Sequence, residues 1–345
     1  MAFALCSDIT IGNYKRVKPH EVKIAKSIFD YVDKATIKLP ITSRIVRSGE
    51  VITASAESPK IFSEGDKVLI QLGYNGQLKK EFEGFVSRVN FKTPVELECE
   101  GYSYQLRQNN YLKTFYKTDL STIMKFLVAD TDIVLKTNLD KKKGFIIDKL
   151  QFDNNSGTEC LEKIKKESAG LIKFFFTGNE LWYGLQYDQV KADVKYLLGW
   201  NVIKDDSLKL RQANNQDVTV NFIGEKKDGT KVKVIVNGKK RTKDNVLKTS
   251  GSAGKTGETI IIKTHSIVDK NALDLMAAAK HRQLTYDGYE GKITAFGAPY
   301  CEPGYAAVIT DNKYNERSGR YITESVEVSY GMQGFRRVVG IGAKL

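Results

Sequence analysis

The sequence is poor in residues that break, bridge or ligate. Proline occurs 6 times in 345 residues, well under the typical ~5%. That scarcity excludes long stiff linkers and low-complexity tails. Histidine occurs only at His20, His265 and His281. No two share the short spacing of a metal-binding pair, so no metal site is expected. The four cysteines, Cys6, Cys99, Cys160 and Cys301, lie too far apart for a zinc knuckle or a redox pair. Cys99 falls in an alternating strand pattern and Cys160 on the apolar face of a helix. Both are expected to be buried small hydrophobes. No apolar run approaches the ~20 residues that span a bilayer. The opening from Met1 to Cys6 is too short for a signal-peptide core, and Asp8 follows at once. The expectation is a chain made and folded in a cytoplasm, with no membrane anchor.

Catalytic signatures are also missing. There is no Gly-x-Ser-x-Gly elbow for a serine nucleophile. Gly254-Lys255-Thr256 has the ending of a phosphate-binding loop, but Thr249 stands where that motif needs its first glycine. A strand pattern follows it in place of a helix, so the segment reads as an ordinary loop. The 41 acidic residues single out no glycosidase pair. No catalytic, cofactor-binding or metal-binding residue is nominated, and the chain is not expected to be an enzyme.

What is present is ordinary globular composition, with 41% hydrophobic and 28% charged residues. A chain of 345 residues exceeds what one core usually serves, so two or three domains are expected. Lys and Arg outnumber acids 54 to 41, a formal charge of +13 that favours anionic partners. The excess concentrates between Glu225 and Lys255, with ten bases against three acids. Lys226, Lys227, Lys239, Lys240, Arg241 and Lys243 are the candidate basic patch, facing DNA or an acidic neighbour. The plainer reading is a solvated hairpin and loop whose lysines block edge pairing. No aromatics interleave with these charges, which argues against a stacking platform for single strands.

Alternation predicts strands through the first hundred residues. Thr36-Ile-Lys-Leu39 stops at Pro40, and Val68, Ile70 and Leu72 share one face. Asn75-Gly76 supplies a hairpin turn, and a long strand is expected over 81–91, with Gly84 marking a bulge or close approach. Val95, Leu97 and Cys99 alternate next. Beyond 106 the period changes: Leu120, Ile123, Met124 and Leu127 mark a helix with Thr118 as its cap. A second helix is expected over 157–169, with Ser156 and Glu159 at capping-box spacing and Gly170 as the stop. A Phe-rich hairpin follows, turning at Gly178-Asn179. Strands return over 218–223, 231–236 and 258–264. A helix over 268–284 then presents Ala272, Leu275, Met276 and Ala279 as its buried face. Whether it packs on the middle region or on the second β-rich region stays open. Short strands and turns fill the remainder.

Four segments resemble the phage tail baseplate hub family, also described as late control protein D or the 43-kDa tail protein. Gly65-Asp-Lys-Val-Leu-Ile-Gln-Leu-Gly-Tyr-Asn-Gly76, followed by Phe82-Glu-Gly-Phe-Val86, is similar to the family's first barrel. Leu97-Glu-Cys-Glu-Gly-Tyr102 is similar to the exit from that barrel, and Cys160-Leu-Glu-Lys-Ile-Lys165 leads to the Phe-rich hairpin. The most specific stretch runs from Ala277-Ala-Ala-Lys280 through Tyr286-Asp-Gly-Tyr-Glu-Gly291, Gly297-Ala-Pro299 and Tyr314-Asn-Glu-Arg-Ser-Gly-Arg-Tyr321 to Gly331-Met-Gln-Gly-Phe-Arg-Arg337. The Lys-rich segment over 225–257 matches no family motif.

The resemblance implies a mainly β protein with two small antiparallel β-barrel domains flanking an α+β domain. The expected division is 1–104, 105–202 and 203–345, the last with an inserted helix at about 268–285. It implies a homotrimeric ring in which six quasi-equivalent barrels join a sixfold tail tube to a threefold central spike. DNA would pass through the lumen, in a virion tail baseplate assembled in the cytoplasm of a bacterial host. The implied partners are further copies of the chain, a spike protein, and a tail tube or tube-initiator protein. Three rivals stand beside it. One is a hub or spike-base component of a type VI secretion or contractile-bacteriocin apparatus. The others are a basic nucleic-acid-binding barrel protein and a cell-wall hydrolase.

Overall fold

The computed structural model describes residues 4–47, 50–139, 144–185, 190–205, 207–211, 218–225, 229–237 and 259–345. The first region is strand-rich, as its alternation requires: β1 (Leu5–Ile11), β2 (Glu21–Ser27), β3 (Lys34–Leu39), β4 (Thr42–Arg47) and β5 (Glu50–Glu57) come first. After a single helical turn, α1 (Ser58–Ile61), come β6 (Lys67–Tyr74), β7 (Gln77–Asn90) and β8 (Val95–Glu100). Positive φ at Asn75 and Gly76 makes the tight β6–β7 turn. Gly84 is a close approach: a Cβ there would lie 2.2 Å from the Glu100 carbonyl oxygen.

The middle region holds α2 (Ser103–Gln108), β9 (Asn110–Asp119), α3 (Leu120–Val128), β10 (Val134–Thr137), β11 (Ile146–Ser156), α4 (Gly157–Glu167), β12 (Lys173–Thr177) and β13 (Glu180–Gly184). The expected capping box of α4 is present, with Ser156 accepting from the Glu159 amide and Glu159 accepting from the Ser156 amide. The cap of α3 is Asp119, not Thr118. Its carboxylate accepts from the Ser121 amide at 3.0 Å and the Phe145 amide at 2.7 Å. The Thr118 hydroxyl turns away and donates to the Tyr116 carbonyl.

The last region contains β14 (Asp193–Leu197), β15 (Val202–Lys204), β16 (Lys209–Arg211), β17 (Thr219–Glu225), β18 (Lys231–Asn237) and β19 (Thr259–Thr264). The helix α5 (Lys270–Leu284), β20 (Gly288–Phe296), β21 (Ala306–Thr310), β22 (Gly319–Gly331) and β23 (Gly334–Lys344) complete it. Strand β19 runs parallel to β17, while β18 is antiparallel to it. The buried residues of α5 are Ala272, Leu273, Met276, Ala277 and His281. Leu275 is 37% exposed, because the helix turns its 273/277 pair toward β17 and β18 instead.

The fold is mainly β, but two separate closed barrels are not what the hydrogen bonding forms. Among the described residues, strands from both ends of the chain join one ladder, β1-β6-β7-β8-β3-β2-β22-β23-β20-β15. The reason is β2, whose second edge pairs with β22 from Glu21↔Gly331 to Ser27↔Ser325 and is not returned to β1. Among the described residues this ladder does not close on itself. Tyr74 at the end of β6 lies against Phe335 on β23, with ring centroids 5.3 Å apart.

Two large apolar cores result. One lies between the terminal strand sets and includes Ile9, Ile37, Ile70, Val328, Phe335 and Val339. The other fills the middle region and continues through Val220, Phe222, Val234 and α5. That helix therefore belongs with the middle core. The join is also polar: Asp148 accepts from the Val268 amide at 2.8 Å, and its own amide donates to the Ser266 carbonyl at 2.8 Å. Each fully buried large aliphatic or aromatic side chain contributes about 1.5–3 kcal/mol.

Candidate functional site

Arg337 sits in the alternating run Phe335, Arg337, Val339 and Ile341 of β23, all facing inward. It is 1% exposed, and Glu81 on β7 is 2% exposed. Arginine has five N–H groups, and here all five are used. Two go to Glu81, from Nη2 to Oε1 at 2.6 Å and from Nη1 to Oε2 at 3.1 Å. Two, from Nε and Nη2, go to the Gly297 carbonyl, and one goes from Nη1 to the Cys301 carbonyl. Burial opposes the guanidinium charge, but Glu81 outweighs it and holds the Arg337 pKa above the usual arginine range. This bidentate geometry fastens β7 of the first region to β23 and the 297–301 loop of the last.

Beside this pair, Lys26 on β2 donates to both oxygens of Glu302, at 2.8 and 3.0 Å. Tyr300 also donates its hydroxyl to Glu302. Burial works against the Lys26 charge, yet Glu302 and Asp33 keep its pKa raised. Asp33, immediately before β3, is 5% exposed, and among the described residues its Oδ1 has no hydrogen-bond partner. Burial pushes its carboxyl up to about 7, against the pull of Lys26. These groups line a cavity of about 200 Å³ whose wall is completed by the β12–β13 turn. The cavity thus lies where the first, middle and last regions meet.

A second feature is a row of exposed apolar side chains. Phe91 is 76% exposed, Trp200 78% and Met332 89%, and Ile41 and Phe296 are exposed too. Strand register places all five at one end of the sheet. Leu39 pairs with Val95, Glu21 with both Lys38 and Gly331, Gly331 with Gly334, Phe296 with Arg336, and Val202 with Ala295. Ile41, Phe91, Met332 and Trp200 lie in the connections at those strand ends. Arg336 covers Phe296, 5.1 Å from its ring centroid.

The predicted basic patch, Lys226, Lys227, Lys239, Lys240, Arg241 and Lys243, lies outside the described residues, as does the Gly254-Lys255-Thr256 loop. Sequence reading missed Arg337, Glu81, Lys26, Asp33 and Glu302. The available signal was Arg337 itself, an arginine at an inward position of an apolar strand. Among the described residues no group of three or more His, Cys, Asp or Glu is placed to hold a metal ion. No helix among them is long and apolar enough to cross a membrane.

The chain superposes end to end on solved tail proteins. With a tail protein from Neisseria meningitidis MC58 the TM-score is 0.61 at 11% identity, covering 98% of this chain and 96% of that one. With the 43 kDa tail protein of prophage MuSo2 from Shewanella oneidensis it is 0.57 at 13% identity, covering 98% and 97%. The fold is that of phage tail proteins. It extends to an E. coli component of the type VI secretion system, itself described as similar to T4 phage tail proteins, with a TM-score of 0.56 at 9% identity over 98% of this chain and 77% of that one. No protein-family profile matches the chain, and no curated protein sequence does. At such identities the likeness speaks for the fold, and both ends of the chain take part in it.

Proposed function

We propose that the chain is a structural hub subunit of a contractile phage or prophage tail baseplate. Three copies close a ring that joins the sixfold tail tube to the threefold central spike and leaves a channel for DNA. The observation that carries this reading is the end-to-end match to tail proteins of the same length, with 98% of the chain covered. The chemistry agrees with a mechanical role. The buried Glu81–Arg337 pair and the Lys26–Glu302 pair fix the two terminal strand sets against each other, leaving rigid strands to hold register. The apolar row from Phe91 to Trp200 is the surface offered to a neighbouring tail component. A ring requires a heterologous interface whose rotation closes, and the division at 1–104, 105–202 and 203–345 would give each copy two quasi-equivalent β regions. The Lys-rich segment with Lys239, Lys240 and Arg241 would face the lumen or an acidic neighbour.

A second reading, a spike-base component of a type VI secretion apparatus, is favoured by the match to the E. coli component. Particle identity separates the two. A tagged chain should appear at the baseplate end of tail particles in electron micrographs of a lysate. Tails that form complete baseplates without the chain would overturn the hub reading.

A further inference from the structure

Among the described residues, the five most exposed large hydrophobic side chains are Met332, Trp200, Phe91, Leu112 and Tyr116. Three of them belong to the row at one end of the large sheet. Leu112 and Tyr116, 75% and 66% exposed, lie elsewhere, on the two-stranded ribbon of β9 and β11. Alternation along β9 puts them on one face. Phe115 turns the other way into the middle core, and the Tyr111 hydroxyl donates to the Leu127 carbonyl. Thr114 lies between the exposed pair, opposite Gln151, and Lys149 lies opposite Tyr116. The two patches are far apart on the fold. Strand β8 starts beside the row at Val95 and ends at Glu100, and only from there does the chain pass through α2 to reach β9. A large side chain offers ~150–250 Å², so the row bares on the order of 600 Å² of side-chain surface. A standard interface takes about 800 Å² from each partner. The row therefore comes close to one side of a stable contact between proteins.

We propose that the row of one copy seats on the β9–β11 ribbon of the next copy, joining copies head to tail. This rests on the ring reading and names the contact within it. A single patch that meets itself gives a twofold dimer and stops there. Two unlike patches give each copy one face to offer and another to receive, and only such a heterologous contact can repeat around a closed ring. The residue types fit the task, since Trp and Tyr are enriched among the side chains that carry most binding energy. Trp200 stands in the row and Tyr116 on the ribbon. The polar neighbours Thr114, Gln151 and Lys149 would form the rim around the apolar pair, the Lys149 stem covering further apolar surface. Each copy carries a formal charge of +13, so copies repel one another. Apolar area has to supply the attraction, and association should tighten as salt screens that repulsion.

The test is sedimentation equilibrium of the full chain and two variants over a series of protein and salt concentrations. The row variant carries Phe91→Ser, Trp200→Ser and Met332→Ser. The ribbon variant carries Leu112→Thr and Tyr116→Thr, which keep strand propensity. Thermal unfolding confirms that both fold, and Trp200→Ser and Tyr116→Thr alone serve if either does not. The wild type is expected at three chain masses and each variant alone at one. An equimolar mixture of the variants should reach two chain masses and stop, because one intact row then meets one intact ribbon and no second contact remains. A variant that still forms trimers alone overturns the proposal and leaves the ring reading standing. So does a mixture that stays monomeric while the wild type trimerises, or a wild-type trimer that loosens as salt is raised. A wild type that stays monomeric also overturns it, whereas the ring reading falls only if the cognate spike protein fails to assemble the chain as well.

Discussion

Glu81 and Arg337 lie 256 positions apart in the chain and share two hydrogen bonds in the protein interior. Their contact fixes the first strand set to the last, so its removal is the sharpest probe of how the two are held. Arg337→Met strands a buried carboxylate and two carbonyls. It should destabilise the chain by about 3–5 kcal/mol. The double variant Glu81→Met with Arg337→Met removes both charges and should lose clearly less. Urea unfolding of the three proteins reads this directly. A double variant that loses as much as Arg337→Met alone would show that the carbonyl contacts, not the ion pair, dominate.

Asp33 makes stability depend on pH with an unusual sign. Its carboxyl is raised from an ordinary 3.8 to about 7 by burial. Between those values the folded chain holds a proton that the unfolded chain has released. Stability from this group is therefore present at low pH and lost as pH rises toward 7. Asp33→Asn should show no such loss. The difference in unfolding midpoint, variant minus wild type, should grow in favour of the variant from pH 4 to pH 7 and stay level above. A difference independent of pH would contradict the assigned burial.

Asp119 caps α3 and also holds the amide of Phe145. Asp119→Ala should cost about 1–2 kcal/mol. Thr118→Ala, one residue away, should stay within about 0.5 kcal/mol, the range of surface changes away from special features. Thermal unfolding of the two variants checks the order.

The exposed row should matter to assembly and not to folding. Phe91→Ser, Trp200→Ser and Met332→Ser together remove three side chains at least 76% exposed. The triple variant should unfold at nearly the wild-type midpoint while complementing tail assembly poorly. Full complementation would remove this row from the contact surface.

The elements were more legible in the sequence than their arrangement. Val68, Ile70 and Leu72 alternate and form a strand face, and Ser156 with Glu159 closes the capping box they spell. These signals act over a few residues, where backbone geometry and side-chain period decide the outcome. The merging of the terminal regions was not legible, because β2 has two edges and nothing within 21–27 says which strand takes the second. The cap of α3 was misplaced by one residue, since Thr118 and Asp119 can both cap and only the position of Phe145 favours the acid. The Glu81–Arg337 site was half legible. An inward Arg337 announces a buried partner, and no local pattern announces that the partner is Glu81.

The central claim is a ring of three copies, and solution mass by light scattering after gel filtration tests it most directly. The account predicts three times the 38.7 kDa chain mass, about 116 kDa. A monomer near 38.7 kDa that persists when the chain is mixed with its cognate spike protein would contradict it.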